Sequence, residues 1–342
     1  MMKLISDFKF WLLIGLLLRL LLMIITFHPD FTAFALAGFV ISEGHILDVY
    51  DYLFNLPSNH PFYHVFGINI FGYPPLALLF ASLPSLIFYP LMDRSFQEMF
   101  LVNPYQFFGS FSFETQSYLL LRKSHFLLFD FLTLICLLKV VAFEKRKLAL
   151  LLWIFNPLVL IADYSMGHFD IIPTFFVILS LFLLFRNNPY LASLAIGIGG
   201  ATKFFPFLFL PFIILLWGKN FLDKAKLLLI GILPMVAVSL PYLQSPVFKS
   251  NVLASPESQK ALFAGVKVSG ADTLYLFVLG YVLILIFATF HKANGFEFMW
   301  KYFFSVLLLF LAITNFHPQW FLWVTPFLIF FILEKTSLWR LV

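Results

Sequence analysis

A few acidic residues and one isolated lysine carry most of the chemistry this chain can offer outside its apolar runs. Asp30 follows directly on the first apolar segment, in His28-Pro29-Asp30. A carboxylate there can take a proton from a sugar hydroxyl whose oxygen attacks another centre. It can equally cap the helix expected over 31–41, by accepting from unpaired first-turn amides. Asp48 stands in Leu47-Asp48-Val49-Tyr50, in the same loop as Glu43 and Asp51. Asp30 with Asp48 is the first pair to consider for a divalent cation such as Mg2+ or Mn2+. His168 and Asp170, in Gly167-His168-Phe169-Asp170 with Asp163 just before, can bind hydroxyls; Asp170 can also cap the helix that follows. Lys203 sits alone between two apolar segments, ahead of Phe204-Phe205-Pro206. Snorkelling to an interface explains such a lysine cheaply. A fixed cation in a low-dielectric cavity also offsets the charge of a departing phosphate.

Further candidates support these. Tyr73-Pro74-Pro75-Leu76 starts a helix, since first-turn prolines sacrifice no intrahelical bond, and Tyr73 would line the wall of a cavity. Asp130, in Phe129-Asp130-Phe131, lies within an apolar run, where a carboxylate costs about 2.5–3.5 kcal/mol on insertion scales unless it is paired or wet. It bonds a neighbouring helix or lines the cavity. His317, Gln319 and Trp320 fall in the turn 315–319 and the start of the next segment; they can hydrogen-bond and stack against a sugar ring. Lys267, with Lys249 and Lys260, comes from the loop 241–272 and can assist Lys203. No phosphate-cradling glycine loop, His-Glu-x-x-His or serine elbow is present, and no basic-aromatic stripe points to nucleic acid.

The elements that must hold these residues are membrane helices. Of 342 residues, 62% are hydrophobic and 11% charged, and mean hydropathy is +0.96. Soluble domains are about 25% charged, so this surface cannot face water all round. Apolar segments recur at 10–27, 73–90, 118–143, 148–162, 170–185, 189–202, 204–217, 225–240, 273–290, 302–314 and 320–333. Several are shorter than the ~20 residues a perpendicular crossing needs, as broken or tilted helices would be. Lys3 and Lys9, then Lys139, Lys145, Arg146 and Lys147, then Arg186, then Lys219, Lys224 and Lys226, then Lys292 and Lys301, then Lys335 and Arg340 mark the cytoplasmic side, while 28–93 lacks Lys and Arg and faces out. That alternation requires an odd number of crossings between residue 28 and the basic turn at 139–147. Either 73–90, with Pro84 inside it, is re-entrant, or 96–113 crosses too. The expectation is an all-α polytopic bundle of 10 to 12 spans, with a short interfacial helix in the first outer loop 28–72, both termini cytoplasmic, and a single domain over 1–342. The lone Cys136 excludes an internal disulfide and a cysteine metal cluster.

In order and spacing these motifs resemble the multispan C-superfamily (GT-C) glycosyltransferases that use polyprenyl-phosphate mannose, including the catalytic subunit of GPI mannosyltransferase I and its prokaryotic relatives. Asp30, Leu47–Tyr50, Tyr73–Leu76, Asp130, Asn156-Pro157, Gly167, Asp170, Lys203 and Pro206 carry the resemblance. It implies inverting transfer of a hexose, mannose first, from a polyprenyl or dolichyl phosphate carrier to a lipid, glycan or protein acceptor. Asp30 would be the base, and the phosphate would leave near Lys203, with membrane lipids around the site. The plasma membrane of a prokaryote or the endoplasmic reticulum of a eukaryote would house it. His28-Pro29-Asp30 departs from the Asp-x-Asp of some relatives. Three other classes compete: a transporter or flippase, which would show matched halves; a glycan ligase or polymerase; and a scaffold subunit, which leaves the one-sided polar cluster without a reason.

Overall fold

The computed structural model describes residues 2–63, 72–270 and 272–335; Arg340, used in the readings above, lies outside them. The chain opens with α1, Met2–Ile25. Helix α2, Pro29–Ser42, begins where Pro29 occupies the first helical position at no cost. Its cap is His28, whose Nδ1 accepts from the Asp30 amide at 3.2 Å. The expectation that Asp30 caps this helix is thereby corrected: Pro29 moves the cap back one residue and leaves Asp30 in the first turn, where a carboxylate favours the helix dipole. Residues 31–41 are all buried, because a helix apolar all round has no face to give to water.

Short α3, Val49–Phe54, precedes α4, Pro75–Ile87, which packs against α2. With 13 residues, α4 is about 20 Å long, against roughly 30 Å of hydrocarbon. Next come α5, Arg94–Val102, capped by Asp93, and a 3-10 turn, Pro104–Phe107. No continuous helix fills 96–113, so the short α4 fits the re-entrant alternative. Ser112 then caps α6, Phe113–Val140, whose 28 residues run about 42 Å.

Beyond α6 the chain forms α7, Arg146–Ile154, α8, Pro157–Val159, and a π-helical turn, Leu160–Ser165. The break at Asn156 is satisfied locally, since its side chain accepts from the Leu158 and Val159 amides. Helices α9, Ile171–Phe185, α10, Pro189–Thr202, α11, Leu210–Trp217, and α12, Phe221–Ser239, follow. Gly197 of α10 lies so close to α12 that an added Cβ would come 2.2 Å from the Gly231 carbonyl oxygen, the small-residue contact membrane helices favour. After α13, Pro246–Phe248, the loop carries a hairpin, β1, Gly265–Lys267, paired antiparallel with β2, Thr273–Tyr275. This is one departure from the all-α expectation. Helices α14, Leu276–His291, α15, Phe296–Ile313, and α16, Thr325–Lys335, complete the fold.

Among the described residues four helical stretches are long and apolar enough to span a membrane: Asp7–Ile25, Phe143–Ser165, Phe221–Tyr242 and Phe296–Ile313. The protein is an all-α integral membrane protein with several passes, apart from that hairpin. Its main core gathers around α6, α9, α10, α15 and α16. A second core joins α2, α3 and α5 to Tyr242 and Phe248.

Candidate functional site

Helix α6 turns one face inward at helical spacing, through Tyr118, Arg122, Phe126, Phe129, Asp130, Thr133 and Leu137. The charged groups on that face and Lys123 bond to the chain's own groups, although Arg122 Nε is buried without a hydrogen-bond partner among the described residues. Asp130 accepts from Arg19 Nε at 2.5 Å, Trp153 Nε1 at 2.6 Å and Tyr164 Oη at 2.5 Å. Arg19 also donates to the carbonyls of Gly15 and Ile154. Arg122 donates to the carbonyls of Phe34 and Ala81 and to Ser85. The Lys123 ammonium faces four carbonyl oxygens, those of Met23, Thr26, Tyr164 and Ser165, at 2.5–3.1 Å. It ties the end of α1 to the end of the π-helical turn. Sequence reasoning passed over Arg19, Arg122 and Lys123, although each stands inside an apolar run, where an ionisable residue always needs a partner.

Just beyond these tied ends lies the mouth. The His28 amide donates to the Met166 carbonyl at 2.8 Å. Gly167 turns the chain at φ +81°, with Phe31 and Lys123 where a side chain would stand. His168 thereby comes to face Asp30, Nδ1 to Oδ2 at 3.7 Å, while His28 Nδ1 stands 3.5 Å from Asp30 Oδ1. Donor atoms of His28, Asp30 and His168 all lie within 4.8 Å of one another, so this half-buried set could hold a divalent cation. Burial draws His168 down to about 4, against the raising effects of Asp170 and Asp30, and the imidazole is neutral near pH 7.

Asp170 begins the next helix. Its Oδ1 takes Lys203 Nζ and Trp323 Nε1, both at 2.6 Å. The Lys203 ammonium is ringed by Tyr73, Phe169, Trp320 and Trp323, with centroids 5.0–5.7 Å away, an arrangement that spreads its charge over four π faces. Trp323 stacks on Phe205 and on Trp320, and Lys260 lies over Trp320 at 4.7 Å.

A family model described as PIG-U, GPI transamidase subunit, matches residues 95–331, well over half of the chain. This chain belongs to the PIG-U family. Neither the curated proteins nor the solved structures gave a match. Membership corrects the GT-C mannosyltransferase reading and the enzyme assignment with it, because the matched family is described as a subunit of the GPI transamidase and not as a glycosyltransferase. Asp30 itself lies outside the matched residues. Much of what suggested a transferase, from Asp130 to Pro206, falls inside the PIG-U match; a polar mouth on a membrane bundle fits both families, and no single motif performs transfer.

Asp30, Tyr73, His168, Asp170 and Lys203 therefore gather at the mouth, and Asp130 lies deeper, in the α6 network. Other predicted residues stand apart. Asp48 is exposed and pairs with His45 at 3.1 Å, so the expected Asp30–Asp48 cation pair is replaced by Asp30 with two histidines. Lys267 sits exposed on β1. His317 is exposed at the start of the turn Pro318–Trp323, its ring 5.4 Å from Trp320, and Gln319 in that turn is half-buried. Asp163 is fully buried, and neither of its carboxylate oxygens has a hydrogen-bond partner of normal geometry among the described residues.

Proposed function

We propose that the chain is a non-catalytic membrane subunit of a transamidase-type complex, a rigid bundle on which partner subunits assemble. One observation carries this: the charged groups that a transferase would turn on substrate are turned on the chain itself. Asp130 is engaged by Arg19, Trp153 and Tyr164, Asp170 by Lys203 and Trp323, and Lys123 by four carbonyls. Such networks fix helix positions; they do not offer a free base. The sides of α12 and α14, where Leu229 and Phe290 are strongly exposed, meet lipid and the helices of partner subunits. Both termini face the cytosol in this reading, and the mouth opens on the other side.

The test is recovery of the tagged chain from its native membranes, followed by identification of what comes with it. Transamidase subunits in stoichiometric amount are the expected result. A well-folded chain that purifies alone, or with an unrelated assembly, would overturn the proposal.

A further inference from the structure

We propose that His28, Asp30 and His168 form a zinc site at the outer mouth, held ready by the buried ammonium of Lys123. Two imidazoles and a carboxylate are a zinc donor set, whereas Mg2+ and Mn2+ prefer oxygen. Ligands bound to one tetrahedral ion at about 2.0–2.1 Å lie roughly 3.3 Å apart; His28 Nδ1 stands 3.5 Å from Asp30 Oδ1 and His168 Nδ1 3.7 Å from Asp30 Oδ2, and one donor atom from each of the three residues lies within 4.8 Å of the others, so small side-chain movements close the set on an ion.

The second observation is His168 itself. Its side chain is 4% exposed and, among the described residues, makes no side-chain hydrogen bond. A mostly buried imidazole whose Nδ1 meets a carboxylate only at 3.7 Å has a ring nitrogen to offer an ion. His28 and Asp30 are half-exposed, so they can adjust around it. His28 Nδ1 now accepts from the Asp30 amide; binding through that nitrogen trades the cap for a bond to the ion.

The third observation concerns rigidity. Lys123 bonds Met23 and Thr26 just before His28, and Tyr164 and Ser165 just before His168. The His28 amide is bonded to Met166. Both ligand-bearing segments thus hang from one side chain and are stitched to each other, the outer support a metal site needs. Lys123 is a positioning residue. The site does not depend on the subunit role.

The experiment uses the full chain, purified with its affinity tag removed, incubated with zinc chloride alone and passed through a desalting column. Bound metal is measured by mass spectrometry and affinity by competition with a chromophoric chelator; magnesium and manganese run in parallel. One zinc per chain is expected, with no retained magnesium or manganese. His168→Ala and His28→Gln should each weaken binding by about 100-fold, and Lys123→Met by about 10-fold, with all three ligands intact. His45→Ala should leave affinity unchanged. His28 is half-exposed, so its substitution reads the site even where a change at buried His168 impairs folding. A folded wild-type chain that retains no zinc overturns the proposal, as does zinc binding indifferent to His28→Gln or abolished by His45→Ala.

Discussion

The chain contains two aspartate-centred ion pairs of the same kind in different settings. Arg19 and Asp130 are 1% exposed, and three donors converge on the carboxylate. Lys203 is 12% exposed, its partner Asp170 is buried, and aromatic rings surround the ammonium. The inner pair has no route to solvent or ligand and can only hold helices. The outer pair is held just as closely, yet its cation borders the mouth. A short salt bridge alone therefore distinguishes neither a structural nor a contact role; the access around it does.

The largest expected effect breaks the inner pair. Asp130→Ala strands a buried guanidinium and should cost about 3–5 kcal/mol, a large share of the ~5–15 kcal/mol that holds an ordinary domain. Thermal unfolding in detergent measures it. The double variant Arg19→Met with Asp130→Leu should regain more than half of the loss, since an apolar pair of similar volume replaces the charges. A double variant as unstable as the single one would mean that Trp153 and Tyr164 need the carboxylate as much as Arg19 does.

Lys123→Met comes next. It leaves four carbonyls at two chain ends without their shared donor, for about 2–3 kcal/mol. Amide exchange should rise at the end of α1 and through 164–168, and little elsewhere. Uniformly faster exchange would argue against a local staple.

Lys203→Met should cost less, about 1–2 kcal/mol, because Trp323 still donates to Asp170 and water reaches the vacated edge. If its loss matched that of Asp130→Ala, the two pairs would be equivalent and access would not separate them.

How much of this was legible beforehand follows the same division. Membrane class came from composition, the start of α4 from the first-turn prolines of Tyr73-Pro74-Pro75-Leu76, and the bounds 189–202 match α10; the caps His28 and Ser112 were not read. Burial of α2 within the bundle matches its lack of a polar face. The gathering of Asp30, Tyr73, His168, Asp170 and Lys203 at one mouth followed from charge alternation. Partners were not legible. Nothing local in Phe129-Asp130-Phe131 names Arg19, 111 positions away, and nothing at Lys123 names four carbonyls on other segments. Family identity was missed for a related reason. The family's pattern is spread over residues 95–331, whereas short polar motifs of the kind read first occur in more than one family of membrane bundles.

The smallest expected effect sharpens the comparison from the opposite end. Asp48 was a candidate on the same grounds as Asp30, an acidic residue in the first outer loop. It is exposed, its partner His45 is partly exposed, and it offers α3 no side-chain cap bond. Asp48→Asn should therefore shift stability by less than about 0.5 kcal/mol and leave recovery of partner subunits as in the wild type. Parallel melting curves and co-purification yields read both. A clear loss of partners with unchanged melting would make this outer loop a contact surface in its own right, and the functional boundary would then run beyond the mouth, through residues held by no buried network.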